Sequence, residues 1–225
     1  MMLRIEERRS DAPYVELVTG GQMLQSSQVI RPAETHPHMV FARYQDNIMP
    51  YIVGPLTASG NVTFTAGAEV LWVRLKAGTF FSHLPMKQLR DTEQQLPGAR
   101  SNTFWLKSDT WEIPTFENVD CFIQRLIKEE ILVHDPLVNQ VLAGHTPDLS
   151  PRTIRHRFLQ SAGLSQKQFQ QMQRAQQAQI MLQNGMSILD TVFETGYYDQ
   201  PHLTRSLKQY IGHTPAEIQA FPVSG

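Results

Sequence analysis

Between residues 13 and 78 the apolar positions come in short runs separated by turn residues: PYVELV, QMLQSSQVI, HMVFARY, MPYIVG, NVTFTA and EVLWVRL. Short β-rich runs broken by Gly, Pro and Asn predict strands, and their spacing predicts a small β-barrel or sandwich. Val70, Leu71, Trp72 and Val73 follow one another without alternation, so this run is expected to be buried on both faces. The stretch 80–111 mixes Pro, Gly and Asp with short apolar pieces and reads as loops plus a short helix over residues 86–89. Near Glu117 the period changes to that of a helix. Val119, Phe122, Ile123, Leu126 and Ile127 form one stripe, with Cys121 assigned to the apolar side beside Phe122. From there on the chain reads as helical throughout. The change of period sets a boundary at residues 114–118 and predicts an α+β chain: a β-rich sensor or dimerisation domain over 1–115 and an all-α domain over 116–225.

The C-terminal third marks its helices with local chemistry. Ser150 before Pro151 is a helix start, Ser165 with Gln168 forms a capping box, Ser187 with Asp190 forms a weaker one, and Thr214-Pro215-Ala216-Glu217 satisfies both rules. The stops are Gly163, Asn184-Gly185, Gly196 and Gly212, each able to take the left-handed conformation that closes a helix. Several short helices in succession predict a compact helical bundle.

With 225 residues, 41% of them hydrophobic and 18% charged, the chain is long enough for two domains and can bury a core. The single cysteine cannot form an internal disulfide, the N-terminus MMLRIEERRS lacks the apolar stretch of a signal peptide, and no window approaches a membrane span. The expected compartment is the cytoplasm. The net charge of −1 conceals an asymmetry: 13 Lys plus Arg stand against 17 Asp plus Glu up to Leu149, and 7 against 4 from Ser150 onward. That split suits a sensor beside a nucleic-acid module, although a solvated charged face gives the same count.

On a wheel of 100° per residue, the helix after Ser150 turns Ile154 and Phe158 inward. Arg152 and His156 then point the opposite way, with Arg155 at the flank. In GYYDQPHLTRSLKQYIG, Asp199 caps, Gln200 and Pro201 fill the first turn, Leu203 and Leu207 face inward, and Arg205 and Lys208 project with Thr204 beside them. The preceding SILDTVFETG is read as a short helix anchored by Ile188, Leu189 and Val192 and stopped by Gly196. A short helix, a glycine turn and a polar-faced second helix make a helix-turn-helix. Arginine can hold the O6 and N7 of guanine or a phosphate, so Arg152, Arg155, His156, Gln200, Thr204, Arg205 and Lys208 are the candidate DNA-binding residues. Between the two units runs a helix with Phe169, Met172, Ala175, Ala178 and Leu182 as its inner edge. Its length of about 30 Å is close to the roughly 34 Å turn of B-DNA.

The stretch from about Val119 to Phe221 resembles the DNA-binding domain of the AraC/XylS family of transcriptional regulators. The resemblance rests on SPRTIRHRF, on the arginine and alanines of RAQQAQIMLQNG, and most specifically on GYYDQPHLTRSLKQYIGHTPAEI. It implies a sequence-specific activator or repressor with two recognition helices in successive major grooves of double-stranded DNA, and RNA polymerase as a further partner of an activator. Two departures stand in the first unit: its turn GHTPDLS is about one residue longer than usual, and His156 stands where an arginine is frequent. In the N-terminal half VGPLT, GAEVLWVRLKAGTF and LPMKQLRD are similar to a small cupin-like sensor domain, which implies binding of a small-molecule effector, homodimerisation, or both.

His36 and His38 have the H-x-H spacing of cupin metal ligands, and His83 could complete a set, but Val40 to Tyr44 fill the space where a glutamate ligand is expected. The expectation is therefore no metal, no cofactor and no enzymatic turnover, with these histidines facing solvent or capping strands. The sequence holds no phosphate loop, no G-x-S-x-G and no paired-cysteine zinc pattern. Two other readings stay open at this point: a cupin-like metal-dependent enzyme fused to a DNA-binding module, and an N-terminal domain that serves only to dimerise.

Overall fold

The structure is a computed structural model that describes residues 3–45, 47–98 and 102–220; Phe221, the end of the resemblance, lies outside them. The strands are β1 (Leu3–Arg8), β2 (Val15–Met23), β3 (Ser27–Arg31), β4 (His38–Tyr44), β5 (Asn47–Val53), β6 (Gly60–Phe64), β7 (Glu69–Leu75), β8 (Thr79–Phe81), β9 (Glu93–Gln95), β10 (Thr103–Leu106), β11 (Asp109–Glu112) and β12 (Leu132–His134). The helices are α1 (Met86–Leu89), α2 (Val119–Lys128), α3 (Pro136–Leu142), α4 (Pro151–Ala162), α5 (Gln166–Gln183), α6 (Ile188–Thr195), α7 (Gln200–Tyr210) and α8 (Pro215–Ala220). Contacts divide them into two compact units. The first holds the chain up to Ser27, His36–Pro55 and Thr63–Gln166; the second holds Gln28–Thr35, Leu56–Val62 and the chain from Lys167 onward. This division runs elsewhere than the change of period near residue 116.

In the first unit β1, β2, β7, β4, β5 and β9 form an open antiparallel sheet in that order, not a closed barrel. β7 lies at its middle; Val70, Leu71 and Val73 are buried, whereas Trp72, which the unbroken apolar run placed inside with them, is half-buried. Gly20 in β2 leaves room for Phe116, whose ring edge would lie 3.1 Å from any added Cβ. The core joins the sheet to α2: Val18, Met39, Ile52, Val73 and Leu75 are buried in one cluster with Val119, Ile123 and Leu126. α1 has the predicted bounds and buries Met86 and Leu89.

Several expectations give way here. The stretch read as loops contains β9, β10 and β11, and the segment LRIEER, ahead of the first predicted strand, is the edge strand β1. The second half is not helical throughout, since β12 pairs with β8. Three residues are too few to display a period, and the pairing partner lies some fifty positions away. Cys121 is exposed, because it falls one position before the Phe122–Ile123 edge of the buried stripe and rotates out of it.

In the second unit α5 buries Phe169, Met172, Ala175, Ala178 and Leu182, the predicted inner edge. All four predicted glycine stops have positive φ: 70° at Gly163 in the first unit, and 85°, 68° and 90° at Gly185, Gly196 and Gly212. β3 and β6 form a separate two-stranded ladder, extended by the bridge between Glu34 and Leu56.

Candidate nucleic-acid interface

The first helix pair is α3 and α4, and Asp135 organises both. Its carboxylate caps α3 by accepting the Leu137 N–H at 3.0 Å, and it holds α4 through Arg157 at 2.6 and 3.0 Å and Ser161 at 3.2 Å. Burial pushes the Asp135 carboxyl up, but the Arg157 and backbone hydrogen bonds outweigh it, so the group stays below its ordinary range. α4 starts at Ser150, whose hydroxyl accepts the Thr153 N–H at 3.2 Å with Pro151 in the first turn, and it stops at Gly163. A Cβ at Gly163 would come within 2.8 Å of the Met86 carbonyl oxygen, so the position needs glycine for space as well as for φ. Phe158 is buried and Ile154 half-buried, while Arg152, Arg155 and His156 are exposed. Arg157 differs from its neighbours because its guanidinium is committed to Asp135.

The second pair is α6 and α7. Ser187 caps α6 by accepting the Asp190 N–H at 3.1 Å, and its hydroxyl donates to the Asp190 carboxylate at 2.6 Å. Thr191 is buried and donates its hydroxyl to the Ser187 carbonyl at 2.8 Å. Leu189 does not anchor this helix: it is 72% exposed and Phe193 is 83% exposed. The inward stripe is Ile188, Thr191, Val192 and Thr195, since position 189 lies about 100° away from position 188. Hydrophobicity suggested Leu189, and geometry selects a threonine.

The turn between these helices is clamped from α5. The Arg174 guanidinium lies 4.9 Å from the centroid of Tyr197 and donates to the Gly196 carbonyl at 3.2 Å, while the Tyr197 hydroxyl pairs with Ser206 of α7 at 2.7 Å. α7 is capped by Asp199, which accepts the His202 N–H at 2.7 Å, with Pro201 in the first turn. Leu203, Leu207 and Tyr210 are buried, Gln200, Arg205 and Lys208 exposed, and Thr204 half-buried.

Residues 147–220 match a family model described as a helix-turn-helix domain. They form an AraC-type helix-turn-helix domain. The chain that carries this AraC-type domain is a DNA-binding transcriptional regulator, of a class generally without enzymatic activity. Searches of curated proteins and of solved structures returned no match. Among the described residues no helix is long and apolar enough to cross a membrane.

The candidate residues fall into two sets on two helices of the AraC-type domain. Arg152, Arg155 and His156 lie on α4 in the first compact unit, and Gln200, Thr204, Arg205 and Lys208 on α7 in the second. Lys208 has a counter-charge that was not foreseen: its ammonium meets Glu217 at 3.1 Å. Glu217 is fixed by the capping box of α8, where it accepts the Thr214 N–H at 2.6 Å and its own N–H donates to the Thr214 hydroxyl at 3.2 Å. The Thr214 N–H first, then Lys208 and the Thr214 hydroxyl, pull the Glu217 carboxyl down to about 2. The box itself was legible, but nothing in its spacing tells that the same carboxylate reaches a lysine nine positions back.

Of the N-terminal histidines, His36 lies 3.1 Å from Arg74 and 3.5 Å from Glu16, and His83 packs edge-on against Phe81. Among the described residues no group of three or more His, Cys, Asp or Glu side chains is arranged to hold a metal ion.

Proposed function

We propose that the chain reads specific DNA sequences with α4 and α7, each entering a major groove, and that Arg152, Arg155, His156, Gln200, Thr204, Arg205 and Lys208 make the contacts. The observation that carries this reading is the exposed polar face on each of two side-chain-capped helices, Arg152, Arg155 and His156 on one and Gln200, Arg205 and Lys208 on the other. An exposed arginine on a groove-entering helix can bind guanine with two hydrogen bonds. α5, at 18 residues, is about 27 Å long, which suits two readers in grooves one turn of duplex apart. Residues 1–115 would supply an effector site, a homodimer contact or both, and RNA polymerase would be the partner if the regulator activates. The cytoplasm is the compartment this work requires.

Footprinting on a duplex selected from a random library tests the reading. One protein molecule should protect two major-groove segments about 10 base pairs apart on one face, without a palindrome. Protection confined to one groove segment would remove α4 or α7 from the mechanism.

A further inference from the structure

An α-helix leaves its last carbonyls without partners inside the helix, and water or a local glycine turn ordinarily satisfies them. α7 ends differently. Its own closing turn uses only the Leu207 carbonyl, which accepts the Ile211 and Gly212 N–H groups at 2.8 and 2.9 Å. The next three carbonyls are taken by segments from far earlier in the chain. The Ser59 hydroxyl donates to the Lys208 carbonyl at 3.2 Å, the Ser59 N–H to that of Gln209 at 2.8 Å, and the Ala33 N–H to that of Tyr210 at 2.6 Å. Gly212 lies directly beneath this contact, where an added Cβ would collide with Ile30 and crowd Ser59. The donors are themselves held in register: Glu34 and Leu56 exchange backbone hydrogen bonds at 2.9 and 2.7 Å, and β3 pairs with β6.

We propose that residues 28–35 and 56–62 are a positioning arm of the second recognition helix, built from the N-terminal half of the chain and gripping the C-terminal end of α7. The arm fixes the rotation and tilt of α7 through three consecutive carbonyls, and so fixes where Arg205 and Gln200 meet base edges. Its two segments continue along the chain into β2 and β4, and into β5 and β7. A change in those strands therefore reaches α7 through covalent connections, which gives the N-terminal half a route to DNA reading. Ser59 is the positioning residue with most to lose, since it supplies two of the three donors. The inference rests on the reading of α7 as a DNA-reading helix.

The test uses the full chain, with a duplex selected by the wild type from a random library and a duplex of scrambled sequence. Ser59→Ala removes the hydroxyl donor, and Ser59→Pro removes the N–H as well. Loss of selected-site affinity should be roughly threefold for Ser59→Ala and roughly tenfold for Ser59→Pro. Affinity for the scrambled duplex and the salt slope should stay at the wild-type level, because no phosphate-binding cation is removed. Hydrogen exchange at the end of α7 and at Ala33 should quicken in parallel. An arm that contributed only stability would lower both affinities together, in step with the melting temperature, and that result overturns the proposal. An unchanged ratio of the two affinities overturns it equally. If Ser59→Pro does not fold, Ser59→Ala decides by the same ratio. Arg205→Ala, run alongside, separates the two ideas: if it leaves the ratio unchanged, α7 is not a reader, and if it lowers the ratio while the Ser59 variants do not, the arm alone fails.

Discussion

At Lys208 the ammonium that projects from α7 already has a partner in Glu217, held in place by the Thr214 N–H. A phosphate held by Lys208, as proposed above, would have to compete with that carboxylate. Glu217→Gln keeps an acceptor for the α8 cap and removes the charge, so it should raise DNA affinity at low salt and steepen the salt dependence by about one; binding titrations over a salt series measure both. Arg205→Ala should cost about 1–3 kcal/mol, concentrated at one base position, whereas Arg155→Ala should weaken all sequences alike and reduce the salt slope by about one. Acid acts on Glu217 with a definite sign. Its folded carboxyl is lowered from 4.5 to about 2, so the linkage is fully present above the ordinary value and is lost as pH falls through about 2. Amide resonances of α8 followed through an acid titration should move in that window. Single residues were legible from sequence where the chemistry is short-range. Ser150, Ser187, Asp199 and Thr214 all cap as their spacing predicts. The Lys208–Glu217 pair was not, because it joins two helices.

Among the elements, α3 and α4 depend on one carboxylate. Asp135→Ala removes the cap of α3 and the anchor of Arg157 and Ser161 together, and should destabilise the first unit by about 1–3 kcal/mol. Asp135→Asn keeps part of the cap and should cost less; thermal melts of the two variants give the comparison. The wheel found the inner edge of α5 because eighteen residues sample the period five times over. It failed on α6, where a buried threonine replaces the apolar residue that periodicity looks for, and on β12, where three residues carry no period at all.

For the whole molecule, the change of period near residue 116 invites truncation at that point, and contacts argue against it. Val119, Ile123 and Leu126 of α2 are buried in the same cluster as the strands of the sheet, and Arg125 stacks over Trp111 at 4.4 Å. A chain beginning at Glu117 would uncover that face and would also lack Ala33 and Ser59 at the end of α7. It should melt well below the full chain and select DNA more weakly, as differential scanning calorimetry and binding assays can measure. The mixed α+β class, α4 and the pair of α6 and α7 were legible in the sequence. The division into units was not, because two of the three hydrogen bonds by which the segments 28–35 and 56–62 meet α7 come from backbone N–H groups, which every residue but proline possesses and which leave no mark on composition or spacing.

The grip of Ser59 on Lys208 also sets a timetable for synthesis. The partners are 149 positions apart. At a ribosomal pace of roughly 5–20 residues per second, the arm emerges on the order of ten seconds before the helix it holds. During that interval the Ser59 and Ala33 N–H groups lack the α7 carbonyls that later accept them, an exposure that grows with every long-range pairing a fold requires. A nascent chain of this kind has reason to engage a holding chaperone until its C-terminal helices arrive, and slowed translation of the C-terminal third should lower the soluble yield more than the same slowing placed before residue 28.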